Sequence, residues 1–167
     1  MSTSAAFQSS PWMVKEIVEQ AEPGDERIWV PQGEQIWFRP LLLDTVTGVV
    51  ANLLRVRRGG NLGRHIHNAP VYGYVIKGSW RYLEHDWVAR AGMFVYEPPG
   101  EVHTLVVDDA SEANEMITYF VVHGGLTKIG DDGRPSGFEN AFTKIALCDA
   151  HYRDVGLGAD YIKAFVR

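Results

Sequence analysis

Hydrophobic residues along most of the chain occur in short runs rather than at the spacing of a helix. Between residues 28 and 123, runs rich in β-branched and aromatic residues, such as VYGYVIKGSW, alternate with turn sequences such as DTVTG. At least seven short strands are predicted there, with almost no helical periodicity between them. The pattern therefore favours an all-β domain, built as an antiparallel β-sandwich or a closed barrel.

Short helical segments are predicted at both ends of this β region. Before it, Ser10 is a candidate N-cap, Pro11 suits the first helical position, and Gly24 would follow the end of a short helix. After it, residues 124–137 read as a glycine-rich loop, and residues 149–167 as two weak helical turns broken by glycines.

No linker or repeat divides the sequence, and its length suits one domain. We therefore predict a single domain over residues 1–167, with a barrel core at about 28–123 and a C-terminal extension at 124–167.

Composition excludes several classes of function. The net charge is −5 and no basic run exceeds Arg57–Arg58, so a nucleic-acid surface is not expected. No segment approaches the roughly 18 apolar residues of a membrane span. Cys148 is the single cysteine and the first ten residues lack the features of a signal peptide. These two observations predict a cytoplasmic protein, and Cys148 itself has no evident role.

Two histidines stand one residue apart in a stretch that otherwise predicts a strand. His65 and His67 would project from the same face, because residues i and i+2 of a strand share a face. Such a pair can hold a divalent metal, although two surface histidines on an edge strand would give the same pattern. A third histidine, His103, follows the turn EPPGEV and is far enough along the chain to return across a barrel.

The spacing around these histidines resembles the two motifs of the cupin family. Glycine, five residues and HxH, with a further glycine eleven residues on, match the first motif, and GMFVYEPPGEVH matches the second. The matching residues are Gly59, His65, His67 and Gly78, then Gly92, Pro98, Gly100 and His103. The resemblance covers residues 45–123 and implies a double-stranded β-helix, a jelly-roll barrel with one metal held by His65, His67 and His103.

Two positions depart from the cupin pattern. Val71 stands where the first motif has glutamate, and Val107 where the second usually has asparagine. The remaining ligands would be three neutral histidines, with open positions for a small bidentate substrate and a further ligand such as O2. Fe(II) suits oxygenase chemistry at such a site, and zinc is the alternative metal.

One carboxylate lies close to the second motif. Glu97 precedes Pro98, at a position that more often holds an apolar residue. It can cap a turn or pair with an arginine, serve as a catalytic base, or replace the missing acidic ligand. Aromatic residues crowd the neighbouring strands, and those that face the lumen would accept an aromatic substrate.

A narrower resemblance is seen in residues 73–107 and extends from about Glu26 to His123, and it is to the small cupins that include 2,4'-dihydroxyacetophenone dioxygenase. It implies an iron-dependent dioxygenase that cleaves an aromatic α-hydroxyketone with O2 into 4-hydroxybenzoate and formate. Acetylacetone-type and quercetin-type dioxygenases, an isomerase and a zinc-binding sensor cupin are the alternatives. Cupins generally pair through edge strands, so a homodimer or homotetramer is expected.

Overall fold

The computed structural model describes residues 10–11, 13–20 and 24–167. Its strands, numbered in chain order, are β1 (Val30–Gly33), β2 (Ile36–Leu43), β3 (Val50–Arg57), β4 (His65–His67), β5 (Val71–Lys77), β6 (Ser79–Tyr82), β7 (Ala89–Arg90), β8 (Phe94–Glu97), β9 (Val102–His103), β10 (Leu105–Val106), β11 (Glu115–Val122), β12 (Leu126–Ile129) and β13 (Pro135–Glu139). One helix, α1 (Ala141–Asp154), follows β13, and short 3-10 turns lie at Glu26–Ile28, Asp109–Ser111 and Tyr161–Ala164. The prediction of a mostly β protein is confirmed.

The strands form three sheets that pack around a common core. The largest has the order β1-β2-β3-β11-β5-β8, the second β10-β6-β7, and the third β13-β12-β4-β9. Trp80 of the second sheet is fully buried against Leu54 and Met116 of the first. In the described part of the chain no continuous ring of hydrogen-bonded strands closes a barrel, so the closed form predicted from the sequence is not found.

Strand β3 is buried along nearly its whole length because both of its faces are covered. Leu54 and Val56 belong to the core around Trp80. Leu53 points to the opposite face and packs in a second cluster that includes Trp29. A strand buried on both sides loses the alternation of apolar and polar residues that marks a half-exposed one.

The helix predicted between Ser10 and Gly24 is not observed where the chain is described. Residues 13–20 form no helix and instead lie along the body of the protein. Arg167 Nη2 donates to the Lys15 carbonyl oxygen at 2.8 Å, and the buried Arg39 donates to another carbonyl oxygen of this segment. These backbone carbonyl oxygens therefore accept hydrogen bonds from arginine side chains, whereas in a helix they would accept from backbone N–H groups of the same segment. The rest of the predicted helix lies outside the described residues.

The glycine-rich segment 124–137 also differs from its prediction as a loop. It forms most of an antiparallel hairpin, β12–β13, whose first strand pairs with β4 in the register Leu126↔His67. The sheet that carries the histidine pair therefore continues beyond residue 123.

The C-terminal helix is longer than the two weak turns predicted within residues 149–167. It begins at Ala141, where Asn140 and Thr143 form a reciprocal capping box, and it buries Cys148 and Tyr152. No described helix is long and apolar enough to cross a membrane. The single domain over residues 1–167 stays a prediction.

Candidate metal centre

Strand β4 brings His65 and His67 to one face, as the alternation of a strand requires. Both side chains are buried, and their ring centroids lie 5.1 Å apart. The strand is held between β9 and β12, so it is not the exposed edge strand that the alternative interpretation of the pair would need. The two imidazoles therefore point together into the interior.

His103 completes the group from the neighbouring strand β9. It is the direct cross-strand partner of His65, and its ring lies 4.7 Å from the ring of His65 and 5.4 Å from that of His67. The side chain is 1% exposed. Each of the three residues offers one ligand atom within 4.8 Å of the others. The structure thus brings together the three histidines that the sequence motifs single out.

Contacts between Nδ1 and backbone carbonyl oxygens orient two of the imidazole rings for metal binding. His65 Nδ1 lies 2.9 Å from the Gly63 carbonyl oxygen, and His67 Nδ1 lies 3.4 Å from that of Gly125. A neutral ring that donates from Nδ1 leaves the lone pair of Nε2 free for a metal. In His103, neither ring nitrogen has a hydrogen-bond partner among the described residues. An orphaned buried imidazole is costly unless a ligand completes it.

Burial keeps all three histidines neutral. It lowers the pKa of His67 to about 4 and that of His103 to about 3, with the neighbouring imidazoles adding to the effect. Burial also lowers the pKa of His65, although its contact with Gly63 opposes the shift. Imidazoles that are unprotonated at neutral pH are ready to ligate, and together with the orphaned nitrogens this donor set fits a divalent metal.

Glu97 supplies a carboxyl group beside the histidines. It is the cross-strand partner of Val71, the residue that replaces the glutamate of the first motif. Its Oε2 lies 3.6 Å from Nε2 of both His67 and His103 and has no hydrogen-bond partner in the described part of the chain. The side chain is 3% exposed, and burial raises its pKa to about 7. Neither a turn cap nor an arginine partner is seen for it among the described residues.

Tyr82 holds Glu97 in place. Its hydroxyl donates to Oε1 of Glu97 at 2.5 Å, and its ring stacks on His103 with a centroid separation of 4.1 Å. Burial raises the pKa of the Tyr82 phenol well above its usual range, and the Glu97 charge adds to this. The phenol therefore stays protonated as a donor. The sequence marked Tyr82 only as one of many aromatic residues, because its contact with Glu97 depends on tertiary packing.

A partly open cavity of about 590 Å³, counting its mouth, lies against the histidines. Its walls are mainly aliphatic and include Val50, Leu54, Leu62, Val71, Leu105 and Val122. Among the described residues, the lining contains one tyrosine, Tyr82, and one phenylalanine, Phe120.

Only some of the aromatic residues on these strands face the cavity, as strand alternation predicts. Tyr72, Tyr74, Phe94 and Tyr96 lie on the outer face of β5 and β8, where each is 40 to 63% exposed. Strand alternation is the reason: Val71, which precedes Tyr72 in β5, points to the opposite face and lines the cavity.

Several polar residues of the cavity were not anticipated from the sequence. They are Gln32, Asn52, Glu139, Asn140 and Lys144. Four of them come from β1, β13 and the start of α1, parts of the chain for which the sequence predicted no role in the site. The Asn140–Thr143 capping box is the sequence signal that could have located the start of α1.

The other histidines lie outside the group of three. His85 pairs with Glu101 at 3.0 Å, and His151 Nε2 contacts the carbonyl oxygen of Arg27 at 2.8 Å. His123 lies against Tyr72 on the outer side of the sheet.

Comparison with protein families places these observations in context. The family described as the ChrR cupin-like domain matches residues 20–127. The chain belongs to this cupin family. The matched range contains the three histidines, Glu97 and Tyr82, so the cupin assignment made from the motif spacing is confirmed.

Solved structures support the same fold. An RmlC-like cupin protein from Ralstonia eutropha JMP134 is 32% identical, with a TM-score of 0.70 over 77% of this chain and 83% of that one. An acetylacetone dioxygenase from Acinetobacter johnsonii is 18% identical, with a TM-score of 0.68 over 86% of this chain and 99% of that one. Comparison with curated protein sequences gave no match. The jelly-roll fold of the cupins is thus shared, and the narrower resemblance to 2,4'-dihydroxyacetophenone dioxygenase stays a prediction.

Proposed function

We propose that this cupin is an Fe(II)-dependent dioxygenase that cleaves a carbon–carbon bond in a small compound with two neighbouring oxygen functions. The observation that carries the proposal is the combination of three buried neutral histidines with an unpartnered carboxyl oxygen beside them. A closed structural site would use all of its positions on protein atoms, whereas three histidines leave positions open.

His65, His67 and His103 would hold the metal, and none of them brings a negative charge. Bound iron would supply coordination positions for substrate oxygens and for O2, together with its redox chemistry. The protein contributes position, charge and a site that excludes water.

Glu97 is proposed to take the proton that such a substrate loses. A carboxyl whose pKa is raised by burial gives up its proton more readily once a cation is near, because opposite charge favours the ionised form. Tyr82 fixes one oxygen of Glu97 and leaves the other, Oε2, without a partner. That oxygen is the one available to accept a proton, and the apolar walls keep competing water away.

The aliphatic cavity favours a small β-diketone such as acetylacetone as the substrate. The shared fold with an acetylacetone dioxygenase supports this choice. The second candidate is 2,4'-dihydroxyacetophenone, an aromatic α-hydroxyketone, which is supported by the resemblance of residues 73–107 and by the presence of Tyr82 and Phe120 in the lining. Both compounds present two oxygens to one metal.

Oxygen consumption by anaerobically prepared, iron-loaded protein tests the proposal. We expect one O2 consumed per acetylacetone or per 2,4'-dihydroxyacetophenone, and each of the two products should gain one atom of label from ¹⁸O2. Zinc-loaded protein is the control and should consume none. Label in one product only, or equal activity with zinc, would exclude the dioxygenase reaction. Tight zinc binding together with no O2 consumption by the iron-loaded protein would favour a sensor cupin instead.

A cytoplasmic location and a homodimer or homotetramer also stay predictions. Size-exclusion chromatography with light scattering would measure the assembly directly.

A further inference from the structure

The cavity has a second polar end, away from the metal centre. His67, Leu126 and Glu139 are direct neighbours across β4, β12 and β13, so they share one face of the sheet. Two strand spacings separate His67 from Glu139, a distance on the order of 10 Å between backbones. Glu139 therefore marks a part of the cavity that a ligand on the metal would reach only with an extended chain.

A buried ammonium group occupies this end. Lys144, from the first turns of α1, is 8% exposed. Its Nζ lies 2.9 Å from Glu139 Oε2 and 2.6 Å from the Gln32 side-chain oxygen, and 4.1 Å above the centre of the Phe38 ring. The ammonium is thus held in one place within the lining.

The charges around Lys144 do not cancel. Glu139 also pairs with Lys128 at 2.9 Å, so one carboxylate faces two ammonium groups. Asn140, the N-cap of α1, lines the same cavity, and a helix N-terminus adds partial positive charge. The Lys144 ammonium therefore shares its carboxylate partner with a second cation, Lys128, which is half-exposed and lies outside the cavity lining.

Asn52 adds an unused amide to the wall. It is 6% exposed and lies between the aliphatic Val50 and Leu54 on the cavity side of β3. Its side chain has no hydrogen bond to any other residue that the structure describes. Phe38, the ring beneath the Lys144 ammonium, is the cross-strand neighbour of Leu54, which places both polar groups on the same side of the cavity. The amide of Asn52 is therefore available to hydrogen-bond a ligand that enters the cavity.

We propose that Asn52 and Lys144 form a subsite for a carboxylate at the far end of the substrate, with Glu139 and Gln32 holding Lys144 in position. The substrate class is then a diketone or hydroxyketone acid, whose oxygen pair lies at the histidines and whose carboxylate lies at Asn52. Two oxygens, of Glu139 and Gln32, contact the ammonium, so its third N–H would donate to the carboxylate, and charge-assisted hydrogen bonds are the stronger kind. This inference rests on the proposed function, because it assumes that the other end of the substrate binds the metal.

Binding of two matched probes to zinc-loaded protein tests the subsite without turnover. Acetylacetone and 4,6-dioxoheptanoate carry the same diketone, and the second also carries a carboxylate on a short chain. Isothermal titration should give a Kd about tenfold lower for 4,6-dioxoheptanoate. Asn52→Leu and Lys144→Met should each reduce this preference to about twofold or less and leave the Kd of acetylacetone within about twofold.

Asn114→Leu is the matched control, since Asn114 is exposed and lies outside the cavity lining. It should keep the full preference. If Lys144→Met does not fold, Asn52→Leu and Asn52→Asp decide, because the added charge of aspartate should weaken only the carboxylate probe.

Equal affinities for the two probes in the wild type would overturn the subsite, as would a preference that survives both Asn52→Leu and Lys144→Met. Acetylacetone binding would still support the proposed function in either case. Conversely, a carboxylate preference in protein whose iron form consumes no O2 with either probe or with 2,4'-dihydroxyacetophenone would support the subsite and refute the dioxygenase. Failure of both probes to bind would overturn both proposals.

Discussion

Replacing Glu139 with glutamine tests how much the buried charge network contributes to stability. The Glu139 carboxylate accepts from Lys144, Lys128 and Gln32, each at 2.9 Å. Burial alone would raise its pKa, but the two ammonium groups outweigh this and lower the pKa of Glu139 from 4.5 to about 2. Glu139→Gln keeps the shape of the side chain and removes the charge.

The expected cost is about 3 kcal/mol at pH 7, since each pKa unit corresponds to about 1.4 kcal/mol. Loss of the charge also leaves Lys144 buried without its anion, and breaking a buried pair from one side usually costs 3–5 kcal/mol. Burial lowers the pKa of Lys144 even though the charge of Glu139 opposes this shift. Burying the ammonium therefore costs free energy, and the pair contributes less to stability than the pKa of the carboxylate alone suggests. We therefore take about 3 kcal/mol as the value to test, which corresponds to roughly 6–12 °C in Tm.

The effect should depend on pH in one direction. A carboxylate whose folded-state pKa is lowered contributes its full stability above its ordinary pKa, and this contribution is lost as pH falls toward the folded value. The difference between wild type and Glu139→Gln should therefore be constant above about pH 5 and shrink between pH 4.5 and 2. Urea unfolding followed by tryptophan fluorescence at several pH values measures it.

Two further variants complete this experiment. Glu34→Gln changes an exposed carboxylate with no ion pair among the described residues and should alter stability by less than about 0.5 kcal/mol. Lys144→Met added to Glu139→Gln should restore part of the loss, because an apolar pair replaces an uncompensated charge. A cost below about 0.5 kcal/mol for Glu139→Gln, or one that does not change with pH, would refute the reasoning.

Three other predictions concern the metal centre and the backbone near it. His103→Ala should lower metal affinity by about tenfold or more, measured by elemental analysis, while His85→Ala should keep the metal. Glu97→Gln should retain iron and reduce kcat by roughly 10²–10⁴; reduced iron content would identify Glu97 as a ligand instead, and an unchanged kcat would remove it from the mechanism. Gly78→Ala should destabilise by about 3 kcal/mol or more in urea unfolding, because its φ is +68° and a methyl group would overlap a carbonyl oxygen of β11. Gly92→Ala has a similar φ but open space, and should cost only about 1–2 kcal/mol.

The sequence by itself determined the β character, the cupin family and the three histidines. These features depend on local rules: side chains alternate along a strand, and glycines and prolines occur where turns need them. His65 and His67 share a face because of their spacing alone, and the motif in which His103 lies already pointed to its place beside them. No long-range packing had to be known for these conclusions.

The surroundings of the metal centre were decided by tertiary structure. Glu97 lies at the histidines because β5 and β8 pair in the register that sets Val71 opposite it. A shift of one residue in that pairing would turn the carboxylate to the other face. The sequence showed that the glutamate of the first motif is replaced by Val71 and that a carboxylate is present at Glu97. Only the strand register shows that these two positions lie opposite each other.

The far end of the cavity depended on tertiary structure even more. Lys144 and Glu139 lie in a helix and a hairpin whose individual patterns are weak, and the segment before them reads as loop from its glycines. Hairpin β12–β13 is ordered by pairing with β4, and Lys144 is buried where Glu139, five residues before it, and Gln32 of the distant strand β1 satisfy its charge. A buried ammonium group is stable only where its partners are held in place, and the packing of α1 against β1 that brings Gln32 to Lys144 is information which local residue patterns do not contain.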